Sequence, residues 1–574
     1  MGQKWKYQPP TYEQAAVAKA LSAELDISPI LCSLLMKRGI TSVAEARNFF
    51  RPKLSNLHNP FLMNDMDIAV KRLNSALGKK ERILVYGDYD VDGTTAVALV
   101  YKFLQQFSSN IDYYIPDRNE DGYGISKRGV DYACSTGVKL VIVLDCGIKA
   151  VDEIAYAKSL GIDFIVCDHH VPDDKLPCAV AILNPKRTDS TYPYPHLSGC
   201  GVGFKFMQAF AMDNGMPPEQ LYPLLDLVAV SIASDLVPIM GENRILAYHG
   251  IKQLNHSPST GLKAIIQVCG LSEKEISIND IIFKIGPRIN ASGRVQQGKV
   301  AVDLLIENNF DMALVMSLQI NEFNEARKEL DKSMTEEANS IVEGLESFDE
   351  QRAIVIFNPD WHRGVIGIVA SRLTEVYHRP AVVITCTGDI ATGSARSVTG
   401  FDVYKAMESC RDLLGNFGGH TYAAGFSLKV ENIEAFAKRF EEFVAGNILP
   451  EQTAPVIEID AEIGFHQINR KLFNDLKRFA PHGPDNPKPL FCTRNVCDYG
   501  TSKVVGRRQE HIKLELVDNR SNAIFNGIAF GQSRLAKYIK SKQSFDICYT
   551  LEENSYKHGE VQLLIESIHT KATR

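Results

Sequence analysis

From about residue 56 to 310, short apolar runs alternate with helix-length amphipathic stretches. "RILVYGD", "IDYYIP", "KLVIVLDCG" and "DFIVCDHH" read as buried strands, and "TTAVALVYKFLQQF" reads as one of the helices between them. This alternation predicts a parallel sheet with helices on both faces, whose functional groups gather at the carboxyl ends of the strands. The preceding segment, 1–55, reads as helical and without chemistry ("TYEQAAVAKALSAEL", "SVAEARNFF"). Residues 310–348 run without proline and with one glycine near the end, which predicts a long helix joining two domains.

A second α/β pattern follows over 349–450: "AIVIFNPDW", "VIGIVASRLTEVY", "PAVVITCTG" and helix-like "IEAFAKRFEEFVAG". "NILPEQTAP" at 447–455 has linker composition. Over 451–574 many short alternating strands ("APVIEIDAEIG", "KVVGRRQEHIKLELVD", "NAIFNGIAF", "FDICYTLEEN", "VQLLIESI") predict a small β-barrel, best matched by an OB-fold. The expected partition is therefore a helical segment (1–55), a parallel-sheet domain (56–309), a connecting helix (310–348), a second α/β domain (349–450) and a barrel (451–574). A chain of 574 residues is too long for one core, in keeping with that division.

Composition adds little: 45% hydrophobic and 23% charged residues are ordinary globular values. No run of 18 apolar residues and no charged-then-apolar leader is present, so we expect a soluble cytoplasmic protein with no membrane partner. The chain opens Met-Gly, but Lys6 occupies the Ser/Thr place of a myristoylation signal. None of the 12 cysteines forms C-x-x-C, which argues against a zinc ribbon or a disulfide framework. The net charge of −6 conceals a basic stretch: between Lys503 and Lys542 nine basic residues face three acidic ones.

The chemistry starts at "ILVYGDYDVDGTT" (83–95), where Asp88, Asp90 and Asp92 fall at every second position behind an apolar run. In an extended chain these three share one face and invite a hard divalent cation; a solvated acidic turn is the plain alternative. A calcium hand is excluded, because its twelfth position is Leu99 and a strand, not a helix, leads in. Further candidates end the other strands: Asp145 after "VIVLDCG" and Asp168, His169 and His170 after "FIVCDHH". "LDLVAVSIASDLVP" adds Asp226 and Asp235, read as a fourth converging strand end. Each alone could cap a helix or be a satisfied core residue. Together, carboxylates plus imidazole without thiolate suit Mn²⁺ or Mg²⁺, in a number that suggests two ions sharing an aspartate about 3.5–4 Å apart.

Arg118 ("PDRNEDGYG") and Arg288 ("GPRIN") are arginines in glycine-rich surroundings, suited to phosphate. In "GSARS", Ser394 and Arg396 follow a glycine that would let the backbone approach an anion. A salt bridge to a neighbouring acid is the alternative for each arginine. Gly418 and Gly419 of "FGGHTYAAG" either admit a close backbone or form tight turns, and His420 either touches a phosphate or caps a helix.

"YGDYDVDGTT", "LDCG", "CDHH" and "SIASDLVP", in this order, resemble the four motifs of the DHH phosphoesterase superfamily, named for Asp168-His169-His170. "IPDRNEDGYGIS" (115–126), "GPRINASGR" (286–294), "WHRGVIGIVASRL" (361–373), "GSARS" (393–397), "FGGHTYAAG" (417–425) and "APHGPDNPKPLF" (480–491) extend the resemblance over nearly the whole chain, to the bacterial single-strand-specific 5′→3′ DNA exonucleases of that superfamily. Val91, Ser234 and His482 depart from the usual residues, and none of them removes a ligand.

The resemblance implies a two-ion centre held by Asp90, Asp92, Asp145, His169 and Asp235, with Asp145 bridging and Asp88 completing one shell directly or through water. It implies that His170 faces the scissile phosphate and that Asp168 orients the histidines. It places Arg118, Ser394 and Arg396 on a 5′ phosphate, Arg288 on a backbone phosphate, and Gly418, Gly419 and His420 along the DNA path. It implies work in DNA repair and recombination as a monomer on single-stranded DNA, beside a single-strand-binding protein and a helicase. Related manganese pyrophosphatases lack the barrel, and related oligoribonucleases and cyclic-dinucleotide phosphodiesterases stop after the "GGH" domain. A non-catalytic single-strand-binding scaffold would have lost metal ligands, and here the set is complete.

Overall fold

The computed structural model describes residues 4–570 except 119, 296, 346, 347, 349 and 555–558. Two compact units emerge: one comprises Arg51–Glu329 with Pro481–Pro487, the other the remainder.

In the first unit five parallel strands lie in the order Ile111–Tyr114, Arg82–Gly87, Val138–Leu144, Asp163–Cys167 and Ala181–Leu183. Their residues alternate between two cores. Ile83, Val85, Leu140, Ile142 and Ile165 pack with helix Val91–Leu104. Leu84, Tyr86, Val141, Val143 and Val166 pack with helices Lys127–Ser135 and Val151–Ser159. Burial on both faces is why these strands read as continuous apolar runs. The register sets Gly87 beside Leu144, Leu144 beside Cys167, and Cys167 beside Leu183. The residues that follow, Asp88, Asp145 and Asp168, therefore leave one edge of the sheet together.

The stretch read as a fourth strand end is instead the helix Leu225–Ser234. Nine of its ten residues are buried, which leaves no alternation, and periodicity cannot separate a buried strand from a buried helix there. Helices Gly199–Asp213 and Gly241–His256 flank it. They share a fully buried ion pair, Lys205 Nζ to Glu242 Oε1 at 3.1 Å, completed by Tyr192 Oη (2.6 Å) and the His58 amide (2.9 Å) donating to Glu242.

In the second unit a five-stranded sheet runs Leu414–His420, Ala423–Lys429, Ile390–Arg396, Ala381–Thr387 and Ile354–Phe357, with only the last two parallel. Helix Ile366–Tyr377 covers one face and helix Ile433–Asn447 the other. The long helix expected over 310–348 is one helix, Phe310–Glu343, whose first part belongs to the first unit and whose part from Leu330 belongs to the second; positions 346 and 347 lie outside the described residues.

The C-terminal strands Phe491–Asp498, His511–Asp518, Ile524–Ala529, Val561–His569 and Phe545–Glu553 close into a barrel, because the first pairs with both His511–Asp518 and Phe545–Glu553. This is the expected OB-type barrel. The N-terminal segment differs from expectation. It begins with a strand, Lys4–Tyr7, paired in parallel with Val456–Ile459. Trp5 stacks on His569 at 3.8 Å, and Phe49 and Phe50 meet Phe479 edge-on at 5.5 and 5.3 Å. Those partners lie more than 400 residues away, beyond the reach of local pattern. Among the described residues no helix is long and apolar enough to cross a membrane.

Candidate metal centre and anion sites

Asp88, Asp90 and Asp92 do not lie on an extended chain, contrary to the sequence reading. Asp88 follows the strand, Asp90 is the N-cap of helix Val91–Leu104 with Oδ1 accepting from Gly93 N at 3.0 Å, and Asp92 lies in the first helical turn. The turn folds back tightly: a Cβ on Gly93 would stand 2.5 Å from the Asp88 carbonyl oxygen. Asp145 sits at φ 61°, a left-handed conformation costly for a non-glycine residue and held by its own N–H on Cys167 O at 2.9 Å. Room for its carboxylate comes from Gly199, whose Cβ would fall 2.5 Å from Asp145 Oδ1. Asp235 caps the carboxyl end of helix Leu225–Ser234. Asp226 stands at the other end of that helix, about 13 Å away. It accepts from Ser259 N at 2.7 Å and takes no part in the cluster.

Three sets of ligand atoms each lie within 4.8 Å of one another: Asp88, Asp90 and Asp145; Asp92, His169 and Asp235; Asp145, His169 and His170. His169 Nε2 is 3.2 Å from Asp145 Oδ1, 3.6 Å from Asp235 Oδ2 and 3.9 Å from Asp92 Oδ2. The Nδ1–H of His169 is directed at Leu197 O, 3.0 Å away, so Nε2 carries the lone pair. Burial lowers its pKa to about 3 and keeps the ring neutral.

The carboxylates show the opposite shift. Burial, then the charge of Asp90, raises Asp88 to about 8 and Asp92 to about 6. Burial and the other aspartates push Asp145 and Asp235 well above the ordinary range. Asp88 Oδ1, Asp145 Oδ1 and His169 Nε2 are buried with no hydrogen-bond partner. Orphaned acceptors beside mutually repelling carboxylates lack one thing, positive charge. Hard oxygen donors with one imidazole fit Mn²⁺ or Mg²⁺.

Asp168 plays another part. Its Oδ1 accepts from His169 N (2.7 Å), His170 N (3.1 Å) and His170 Nδ1 (2.7 Å), and its Oδ2 from Ile148 N (3.0 Å). Burial would raise its pKa, but these bonds and the histidine charge hold it below the usual carboxyl range. Burial lowers the pKa of His170, but the hydrogen bond and charge of Asp168 outweigh it and raise the ring to about 9. The Nε2 of His170 lies 3.4 Å from Tyr123 Oη.

Sequence reading missed several neighbours. Tyr123 and Tyr89 meet edge-on at 6.5 Å, and Arg118 lies over the Tyr89 ring at 4.3 Å. Lys186 is close enough for its charge to act on Asp235 and His169. The segment Leu197–Cys200 fixes His169 through Leu197 O and Asp92 through the Gly199 and Cys200 amides. The small residues of "LSGCG" are its only trace in the sequence.

"GPRINASGR" forms helix Gly286–Val295, and its glycines serve packing rather than phosphate. A Cβ on Gly293 would stand 2.4 Å from Tyr89 O, and one on Gly286 2.7 Å from Ser234 Oγ. The helix thus abuts both ligand-bearing segments. Arg288 donates to Asn321 Oδ1 (2.9 Å) and Lys284 O (2.8 Å). Among the described residues neither Arg118 nor Arg288 forms a salt bridge to an acid, the alternative weighed for each.

In the other unit, Arg396 donates to Ser394 Oγ and Ala395 O, both at 2.8 Å. Burial lowers its pKa. Gly367, in the first turn of helix Ile366–Tyr377, lies so near that a Cβ would be 2.9 Å from Arg396 Nη2 and 3.0 Å from Ser394 Oγ. Guanidinium, hydroxyl and helix N-terminus converge, as anion binding requires. Gly393 does not belong to this cradle: its hydrogen faces the Phe426 ring, where a Cβ would lie 2.1 Å from Cζ. Gly418, Gly419 and His420 end a β-strand, and a Cβ on Gly419 would lie 2.3 Å from Ala423 O of the partner strand. His420 stands at the end of that strand, not at a helix end.

The doubly covered parallel sheet and its carboxylate–histidine edge define a DHH-type protein. The family models of the DHH family N-terminal domain, the DHHA1 domain and the RecJ OB domain match residues 82–232, 350–446 and 459–567. The chain belongs to the RecJ family. It is 35% identical over 568 residues to the single-stranded-DNA-specific exonuclease RecJ of Bacillus subtilis (strain 168), covering 98% of this chain and 70% of that one. With RecJ of Escherichia coli (strain K12) it shares 33% identity, covering 95% of this chain and 96% of that one. The crystal structure of RecJ from Thermus thermophilus in complex with Mn²⁺ superposes with a TM-score of 0.84 at 25% identity, over 99% of this chain and 79% of that one.

The metal-free centre has a testable cost. An acid whose folded pKa exceeds its unfolded value holds its proton more tightly when folded, so the stability it lends at low pH is lost as pH rises through that interval. In EDTA, stability should therefore fall from about pH 4 toward pH 8, the value to which Asp88 is raised. Asp145→Asn removes one charge and suits the left-handed backbone. It should melt above wild type in EDTA at pH 8 and gain less from Mn²⁺. A wild-type protein whose metal-free melting temperature rises over this range would contradict the repulsion.

Proposed function

We propose that this chain is a metal-dependent exonuclease that hydrolyses single-stranded DNA from its 5′ end, in the cytoplasm, during DNA repair and recombination. The observation that carries this reading is the set of unpartnered ligand atoms at the sheet edge of a chain whose full-length relatives are named single-stranded-DNA-specific exonucleases.

In this reading Asp90, Asp92, Asp145, His169 and Asp235 hold two divalent ions, Asp145 serves both, and Asp88 completes one shell. Asp145 suits sharing because its Oδ1 accepts no hydrogen bond. Bound there, the ions would supply a nucleophile at neutral pH and neutralise charge on the phosphate. His170, kept protonated by Asp168, directs Nε2–H to the phosphate as an electrostatic partner. Arg118 and Arg288 bind phosphates beside the centre. Ser394 and Arg396 bind the 5′ phosphate, and Gly418, Gly419 and His420 line the strand's path.

The barrel holds more distant nucleotides. Lys503 and Lys513 lie opposite each other on adjacent strands, and Tyr499 and Phe530 expose rings on which bases can stack. The enzyme works as a monomer on strands that a helicase opens and a single-strand-binding protein covers.

End-labelled single-stranded and duplex DNA incubated with Mn²⁺, Mg²⁺ or EDTA tests the activity. Single strands should shorten from the 5′ end only with metal; duplex preference or metal-independent cleavage would refute it. Arg396→Ala should cost about 1.5–3 kcal/mol, the size of a charge-assisted bond, on 5′-phosphorylated strands and much less on hydroxyl-ended ones. Equal losses would remove Arg396 from the end pocket.

For the barrel, a truncation near Ala454 is unsuitable, because the N-terminal strand and helices pack on what it deletes. Lys503→Gln with Lys513→Gln should instead lower the salt slope of binding to long single strands by about 1.4, or 0.7 per released phosphate contact. An unchanged slope would make these lysines a solvated face.

A further inference from the structure

Asp92 is held unlike the other carboxylates of the cluster. Its Oδ2 accepts from Gly199 N at 2.7 Å, and its Oδ1 accepts from both Cys200 N at 2.8 Å and Ser231 Oγ at 2.6 Å. A carboxylate oxygen offers two lone-pair sites. With two donors on Oδ1 and one on Oδ2, Oδ2 is the oxygen left more open to a cation. Asp145, by contrast, has an Oδ1 that accepts nothing.

Ser231 is fully buried on helix Leu225–Ser234, four residues before Asp235, so the two project from one helical face. Its hydroxyl has one proton but two close neighbours, Asp92 Oδ1 and Ser198 Oγ, each at 2.6 Å. A carboxylate is the stronger acceptor, so Ser231 donates to Asp92 and receives the proton of Ser198. Ser198 Oγ in turn accepts from Gly201 N at 3.1 Å, which anchors the relay in the first turn of helix Gly199–Asp213. The Ser231 bond thus ties Asp92 to the helix that delivers Asp235, and both belong to the set containing His169.

We propose that Ser231, backed by Ser198, is a positioning residue of the metal centre: it occupies Oδ1 of Asp92, leaves Oδ2 as the oxygen more open to a cation, and fixes that ligand relative to Asp235. The proposal rests on the metal-dependent reading above and adds to it an outer residue that touches neither ion nor DNA. Loss of such a hydrogen bond to a ligand costs typically 10–100-fold in metal affinity.

The test is calorimetric titration of the metal-free full-length protein with Mn²⁺, with cooperative melting as the control for folding. Wild type should bind two Mn²⁺. Ser231→Ala should weaken one of them at least about tenfold and leave the other in place. The Mn²⁺ concentration for half-maximal cleavage should rise in step, while kcat at saturating Mn²⁺ stays near wild type. Ser231→Thr, which keeps the hydroxyl, should restore the affinity. Should Ser231→Ala fail to melt cooperatively, Ser231→Cys, close in volume and a weak donor, is read by the same criterion. A folded variant without the hydroxyl that binds both Mn²⁺ as wild type does overturns the proposal. A wild type that binds no Mn²⁺ overturns instead the metal-dependent reading beneath it.

Discussion

Mutual repulsion among Asp88, Asp90, Asp92, Asp145 and Asp235 is the constraint around which the first unit is built. Two unit charges 4 Å apart interact by about 4 kcal/mol at the effective dielectric of a protein surface, so five converging carboxylates oppose the fold that gathers them. Fixed backbone dipoles offset part of this. Asp90 and Asp92 stand at the N-terminus of one helix, and Asp92 also accepts from the N-terminus of another. Asp235 lies at a helix C-terminus, where the dipole adds to the repulsion.

Close approach is the second condition, and glycine meets it four times. Gly93 lets the chain after Asp88 turn back on itself, and Gly199 clears the space of the Asp145 carboxylate. Gly286 and Gly293 let one helix rest on the residues beside Asp235 and between Asp88 and Asp90. Gly286 and Gly293 stand in a stretch whose arginine suggests phosphate, yet what they approach is protein. The same holds at Gly393, whose missing side chain makes room for Phe426 rather than for an anion.

That contrast marks how far the sequence could be read. The parallel sheet was legible because double burial leaves unbroken apolar runs, and its register then carried Asp145 and Asp168 to one edge. Asp88, Asp90 and Asp92 stand out in the sequence by their spacing, but strand alternation does not unite them; a strand end, a helix cap and a first turn do. Asp226 and Asp235 look equivalent because the mostly apolar run of eight residues between them conceals whether it is helix or strand. Ser231, Ser198 and the Leu197 carbonyl were out of reach, since their meaning lies in contacts across 28 to 139 residues. Such contacts exist only once the sheet has formed.

The acidic centre and the cationic surfaces imply a division of labour. A chain of net charge −6 with carboxylates massed at one edge repels a DNA backbone at the place where it would cut. Affinity must then come from groups whose charge is not spent on neighbouring acids. Arg118 is stacked on Tyr89, Arg396 bonds a hydroxyl and a carbonyl, and Lys503 and Lys513 face each other across a strand pair. A cation paired with a carboxylate must give up part of that pair to meet a phosphate; in the proposed reading these cations would not. Metal binding offsets most of the negative charge of the centre, and the same ions that relieve the repulsion holding Asp88 and Asp145 above their ordinary pKa offer an approaching phosphate local positive charge. Cohesion of the site and attraction of its substrate therefore share one physical cause.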